Sequence, residues 1–240
     1  LACIGTVTDV MPLLDENRII VKHGLEVLKN TKKPGLKALV EECIDPTKPL
    51  TPYTIGFQLG PRLNAASRVD ETIHALNILL TKNEAEGKQL AEHLTRMNME
   101  RREILARMMD EATEEVLKAD LTDTRCLVVS RSGWAAGMVG LVAGRLRERF
   151  WRPTVVVGID PTTGEGRGSA RSIEEFNIFQ AIDTCGEFLI EYGGHHQAAG
   201  LSIAAGQVDA FALRMNEIAR GCLSEEDLTP SIEVAMELET

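Results

Sequence analysis

One carboxylate stands alone in an apolar run near the start of the chain. Asp9 lies within residues 5–13, close to the point where we expect a strand to end, and ligands of α/β proteins bind outside the carboxyl ends of strands. Mg²⁺ and Mn²⁺ prefer carboxylate oxygens, but one carboxylate does not make a metal site, so further ligands would come from elsewhere. Asp9 is a metal ligand in one interpretation and a cap or turn former in the other.

Two arginines stand six residues apart in a segment of small side chains. Arg62 and Arg68 flank Asn64 and two alanines. Small side chains allow another backbone to approach, and guanidinium groups bind phosphate through paired hydrogen bonds. The segment is typical either of a phosphate site or of a helix start capped by arginine.

Two glycine-containing segments occupy residues 166–172 and 193–200. Glycines, hydroxyl groups and Arg171 in the first are typical of a turn whose N–H groups form a concave phosphate site. In the second, two glycines precede His195, which would either donate a hydrogen bond to a phosphoryl oxygen or pack in the core. Together the segments predict binding of a phosphate or a sugar-phosphate backbone.

The elements that must position these groups follow from the spacing of apolar residues. Residues 2–13 predict a β-rich run, while residues 17–28 and 36–43 have helical spacing. Residues 83–118 contain neither proline nor, after Gly87, glycine, and their apolar residues recur at helical intervals, which predicts one long helix. Its length, well above the average of about 11–12 residues, favours a connector between two globular parts over an ordinary bundle helix.

The second half of the chain predicts an α/β domain. A strand at residues 126–129, a helix at 139–150 and a strand at 153–158 favour a βαβ unit with parallel strands. A glycine-rich turn and helices over about 176–189 and 208–222 follow. Residues 229–240 alternate like the first strand of a further domain.

Composition narrows the class of protein. The net charge of -10 argues against a protein that coats duplex nucleic acid through bulk positive charge, although clustered arginines could still focus a local field. No apolar run approaches the ~20 residues that span a bilayer, so we expect a cytoplasmic protein. Five cysteines without a CxxC pair argue against a disulfide framework or a zinc site. Because the chain opens at Leu1 within an apolar run, we expect it to begin inside a longer polypeptide.

The order of the motifs resembles that of RecJ exonucleases, members of the DHH phosphoesterase superfamily. The matching segments are residues 5–13 with 16–18, 55–57 with 60–66, 98–102, 134–140, 166–172 and 193–195. Any one of these motifs is weak, whereas six in the family's order are specific and extend over nearly the whole chain.

The resemblance implies an α/β fold class with four parts. Residues 1–85 would be the end of a DHH catalytic domain, residues 86–119 a connector helix, and residues 120–222 the DHH-associated, substrate-binding domain. Residues 223–240 would be a linker and the start of an OB-fold, a fold that suits single strands.

The resemblance also implies a metal-dependent nuclease. The family hydrolyses phosphodiester bonds of single-stranded DNA, 5′ to 3′, with water bound to two Mn²⁺ or Mg²⁺ ions, in DNA repair and recombination. Asp9 matches the last metal-ligand aspartate and would be catalytic; the other ligands would lie upstream of residue 1, so we expect this chain alone to bind metal poorly and to cut nothing.

Further residues receive roles from the resemblance. His195 would be catalytic as well as substrate-binding, and single-strand-binding or replication and repair proteins are candidate partners. The implied substrate-binding residues are Arg62, Asn64, Arg68, Trp134, Ser169, Arg171, Ser172, Gly193, Gly194 and His195.

Two departures from the family's pattern keep other functions open. Ala135 stands where the family usually has histidine, and Ser67 where it usually has glycine. One alternative is a DHH-type phosphodiesterase of short oligonucleotides or cyclic dinucleotides, although those relatives usually end at the associated domain. The other is a catalytically silent RecJ-like replication scaffold, which Ala135 favours and Asp9 opposes.

Overall fold

The computed structural model describes residues 1–45, 47–66 and 72–230. The chain divides into two compact units, Leu1–Ile104 and Leu105–Thr240. The described part of the first unit is helical, and the second is built on a five-stranded sheet. No helix within these ranges is both long and apolar enough to cross a bilayer.

Seven helices and one π-helical turn are described up to Lys118. They are α1 (Ala2–Thr8), α2 (Asp15–Lys29), α3 (Pro34–Cys43), the single turn α4 (Pro52–Thr54), a π-helical turn (Ile55–Leu59), α5 (Gly60–Ala66), α6 (Thr72–Leu80) and α7 (Glu84–Lys118). The predicted helices over 17–28, 36–43 and 83–118 are confirmed.

The predicted strand over residues 2–13 is wrong, because this segment begins with helix α1. Cys3 and Ile4 are buried on the side that faces α2, where a Cβ on Gly24 would lie 2.2 Å from the Cβ of Cys3. A short apolar run fits a buried strand and a buried helix equally well. The close packing of α2 on this segment therefore favours the helix over the strand. The spacing of apolar residues within the segment does not show that α2 packs there.

Helix α7 is 35 residues long and is buried along one side. The division between the units falls after Ile104, inside this helix. Leu94 and Met97 belong to the core of the first unit, whereas Met108 and Ala112 are buried in the second. Helix α7 is thus part of both units.

The second unit contains β1 (Leu127–Ser132), α8 (Ala136–Phe150), β2 (Thr154–Ile159), β3 (Glu165–Arg171), α9 (Ile178–Thr184), β4 (Leu189–His195), β5 (Ala198–Ala204) and α10 (Val208–Cys222). The strand order is β1-β2-β3-β5-β4. Strands β1 and β2 are parallel and joined by α8, which confirms the predicted βαβ unit; the other pairs are antiparallel. One face of the sheet forms the core with α9 and α10, and α8 packs on the opposite face against β2 and β3.

The predicted glycine-rich turn over residues 166–172 is wrong, because these residues form the central strand β3. Cβ atoms on Gly166 and Gly168 would lie 2.7 Å from side-chain atoms of Val157 and Leu201 on the neighbouring strands. The glycines therefore permit close strand packing rather than a turn. The helix expected over 176–189 is also shorter than predicted, since α9 ends at Thr184 and a 3₁₀ turn precedes β4. The alternating segment at residues 231–240, expected to begin an OB-fold, lies outside the described residues.

Candidate nucleic-acid interface

The sheet brings Arg171 and His195 into one cross-strand row. Ala198 of β5 is paired with Arg171 on one side and with His195 on the other. Directly paired residues project from the same face of a sheet, and this face is opposite to the one on which Ala170 and Ala199 enter the core. The two predicted substrate-binding residues are therefore separated by only one short side chain.

Arg171 is oriented by contacts on its own strand. Its Nη1 donates to the Oγ of Ser169 at 3.0 Å and to the carbonyl of Ala170 at 2.8 Å. Helix α8 passes close to this pair, since a Cβ on Gly140 would lie 3.1 Å from the Oγ of Ser169 and 3.3 Å from Nη2 of Arg171. Arg171 and Ser169 are half-buried, so these contacts fix the orientation of the guanidinium relative to the hydroxyl.

A second row lies next to the first and contains almost no side chains. Gly200 of β5 is paired with Ser169 and with Gly193. No heavy atom lies within 4 Å of a Cβ placed on Gly193, whereas a Cβ on Gly194 would lie 2.5 Å from the Cα of Ala199. Gly193 thus leaves open space on the exposed face, and Gly194 allows β4 to pack on β5.

Two of the predicted substrate-binding residues have structural partners instead. The hydroxyl of Ser172 is buried and donates to the carbonyl of Phe176 at 2.7 Å. The ring of Trp134 is also buried, and its Nε1 donates to Oε2 of Glu111 at 2.7 Å. These contacts hold Ser172 after the end of β3 and Trp134 before α8, and the substrate-binding roles of both residues stay predictions.

The segment that precedes Arg62 and Asn64 packs near the end of α1, the helix that Asp9 follows. The π-helical turn and α5 pack on the end of α1, where a Cβ on Gly60 would lie 2.5 Å from Cγ2 of Thr8. Arg62 donates from Nε to the Oγ1 of Thr95 at 3.0 Å and from Nη1 to the carbonyl of Gln58 at 2.9 Å. Arg62 is thus held inside the helical unit, whereas Asn64 is exposed.

Arg68, the other predicted arginine of this segment, and Ser67 lie outside the described residues. No structural role is therefore assigned to either residue.

Asp9 caps the carboxyl end of α1, with its side chain exposed. Val10 follows in the left-handed region at φ 56°, a strained conformation for a β-branched residue. Within the described ranges, no three His, Cys, Asp or Glu side chains are grouped so that they could hold a metal ion. The chemistry of Asp9 suits Mg²⁺ or Mn²⁺, but as one ligand of a larger set.

The second unit matches a known domain family. Residues 123–221 match the model of the DHHA1 domain, which together with the mixed sheet confirms the expected fold class for this part of the chain. The second unit is thus similar to DHHA1 domains over these residues.

The wider chain is similar to RecJ exonucleases. It is 42% identical over 234 residues to the single-stranded-DNA-specific exonuclease RecJ of Bacillus subtilis, covering 98% of this chain and 30% of that protein. For the Escherichia coli RecJ the identity is 36% over 228 residues, covering 91% and 39%.

Solved structures agree with this similarity. The crystal structure of RecJ with Mg²⁺ from Thermus thermophilus matches with a TM-score of 0.80 and 30% identity, covering 91% of this chain and 33% of that one. A RecJ structure bound to manganese matches with a TM-score of 0.80 and 31% identity, covering 91% and 53%. The chain spans between 30% and 41% of the length of the curated relatives it matches.

Proposed function

We propose that this chain is part of a metal-dependent exonuclease that hydrolyses phosphodiester bonds of single-stranded DNA in the 5′ to 3′ direction. The observation that supports this most directly is the row of Arg171 and His195 beside Ser169, on a glycine-lined sheet face of a DHHA1 domain. Arginine and hydroxyl donors above a floor without side chains suit a sugar-phosphate backbone. The similarity to single-stranded-DNA-specific exonucleases supports the same substrate.

The described residues have distinct roles in this proposal. Arg171 and Ser169 bind a phosphodiester, and His195 donates a hydrogen bond to a phosphoryl oxygen as negative charge develops on it. Asp9 is one carboxylate ligand of a divalent metal site that requires further ligands. When bound, Mn²⁺ or Mg²⁺ lowers the pKa of water and neutralises charge on the leaving oxygen.

A second candidate function is a RecJ-like scaffold without nuclease activity. Ala135, where the family usually has histidine, favours it. Ala135 is the N-cap residue of α8, and its methyl side chain offers no hydrogen-bond donor to a substrate. Single-strand-binding or replication and repair proteins would be the partners of either form.

Digestion of 5′-labelled single-stranded DNA with Mn²⁺ tests the proposal in the full-length protein. We expect the wild type to release short 5′ products, Asp9→Ala to abolish turnover, and Asp15→Ala, which removes a neighbouring carboxylate at the start of α2, to leave it unchanged. Wild-type turnover by Asp9→Ala would contradict the metal-ligand role. A wild-type protein that binds single strands but does not cut them would favour the scaffold.

A further inference from the structure

We infer that Arg167 is a second contact for the sugar-phosphate backbone, which lengthens the interface along β3 beyond the phosphodiester held at Arg171. The inference rests on the proposed function, because it takes a single strand as the substrate. It adds a residue outside the set predicted from the sequence.

Arg167 lies on the same face of β3 as Ser169 and Arg171. Side chains alternate along a strand, so residues two and four apart project together. Arg167 is paired with Ser202 of β5, just as Arg171 is paired with Ala198 of that strand. Four residues of strand span about 13 Å, which is too far for a phosphate at Arg171 to reach Arg167. A ligand that contacts both arginines must be longer than one nucleotide.

The space beside Arg167 is open. A cleft of about 750 Å³ is lined by Arg167, Gly193, Gly200, Ser202 and Glu191, among others. It continues the glycine floor that begins beside Ser169. A strand bound at Arg171 therefore has open space on the β5 and β4 side of β3, through which it can continue towards Arg167.

The guanidinium of Arg167 is available to a phosphate. Its side chain is 67% exposed, and its Nη2 lies 3.6 Å from Oε1 of Glu165 on the same strand, which is a long ion pair. Exposed ion pairs of this kind are weak, whereas arginine binds phosphate through two parallel hydrogen bonds. Exchange of Glu165 for a phosphate oxygen would therefore be favourable.

Other charges on this face limit the path to one side. Arg131 lies in the same row beyond Gly158, although its Nη1 is paired with Glu111 at 3.0 Å. Glu191 is exposed at the other end of the row, two strands away from Arg167, or about 10 Å. Repulsion from Glu191 should keep the phosphates on the β3 side of the cleft.

The test compares two single-charge variants in the full-length protein. Arg167→Gln removes the proposed contact. Arg214→Gln removes a 46% exposed arginine from α10, on the opposite face of the sheet, where Arg214 is paired with Glu217. Dissociation constants for a dinucleotide and a twelve-nucleotide single strand are measured without divalent metal, at several salt concentrations.

We expect Arg167→Gln to weaken binding of the twelve-nucleotide strand by about five- to tenfold and to reduce its salt slope by ~0.7, the value for one phosphate contact. Dinucleotide binding should not change, and Arg214→Gln should match the wild type. Equal behaviour of the two variants, while Arg171→Gln weakens binding, would overturn the inference and leave the proposed function standing. An equal loss for the dinucleotide would also overturn it, because Arg167 would then act at the first phosphate. Absence of single-strand binding by the wild type would instead contradict the proposed function.

Discussion

Nε1 of Trp134 donates a hydrogen bond of 2.7 Å to Oε2 of Glu111, and so connects the segment before α8 to helix α7. The same carboxylate oxygen lies 3.0 Å from Nη1 of Arg131 at the end of β1. The carbonyl of Trp134 would lie 2.4 Å from a Cβ on Gly158. Glu111 therefore positions the segment from which α8 begins, and α8 in turn passes beside Ser169 and Arg171 through Gly140.

Replacing Glu111 should disturb substrate binding without removing a substrate contact. We expect Glu111→Ala to raise KM for single-stranded DNA more than it lowers kcat, and Glu111→Gln to recover most of the loss, because an amide oxygen still accepts from Trp134. The difference in fluorescence between each protein and its Trp134→Phe variant reports the environment of Trp134. A changed KM with unchanged fluorescence would contradict the positioning role.

The same carboxyl group predicts a pH dependence of stability. Hydrogen bonds from Trp134 and Arg131 hold the pKa of Glu111 below its ordinary value of 4.5. A lowered pKa contributes stability that is fully present above the ordinary value and is lost as the pH falls through the folded-state value. Thermal unfolding of wild type and Glu111→Gln should therefore converge below pH 4.5 and differ most near neutrality. A constant difference across this range would refute the assignment.

Gly140 offers a test of the space beside Arg171. A Cβ at this position would lie 3.1 Å from the Oγ of Ser169 and 3.3 Å from Nη2 of Arg171, whereas a Cβ on Gly144 of the same helix meets nothing within 4 Å. Gly144→Ala should stabilise the protein by up to about 1 kcal/mol through helix propensity and leave binding unchanged. Gly140→Ala should weaken single-strand binding because it displaces both side chains. Identical affinities of the two variants would show that the side chains move aside without loss.

Substitutions of the two adjacent glycines of β4, Gly193 and Gly194, should have different effects on binding and on stability. Gly193→Ala places a methyl group in open space on the exposed face, so we expect normal thermal stability and weaker binding. Gly194→Ala places it 2.5 Å from the Cα of Ala199, and we expect a loss of stability of about 1–3 kcal/mol from overpacking. Chemical denaturation and a binding titration separate the effects, and the reverse pattern would contradict the proposed open face.

Arg171 and His195 should differ in what they contribute to turnover. We expect Arg171→Ala to weaken single-strand binding, because the lost guanidinium is already oriented by Ser169 and Ala170. His195→Ala should mainly lower kcat if its imidazole donates to the developing charge. Single-turnover kinetics in the full-length protein distinguish the two. An unchanged kcat in His195→Ala would remove the catalytic role from this residue.

Local spacing was enough to predict the long helix and the βαβ unit. In α7 the apolar positions recur at the helical interval without an internal proline, so the pattern depends only on neighbours along the chain. The elements β1, α8 and β2 were also predictable from local sequence, because the apolar runs of the strands are short and that of the helix is long. The residue types of segments 166–172 and 193–195 also indicated phosphate binding before any fold was known.

Tertiary structure alone decided how those residue types are used. Glycines at 166 and 168 fit a turn as well as a strand. Of the two strands that pair with β3, β2 precedes it by a short turn, whereas β5 follows only after α9 and β4. The residues around Trp134 do not show that its indole bonds to Glu111, which precedes it by 23 residues on another element. The sequence by itself thus determined the chemical groups and the regular elements. Non-local pairing determined which side chains share a face and which are buried, because burial and strand register depend on partners that the local pattern does not specify.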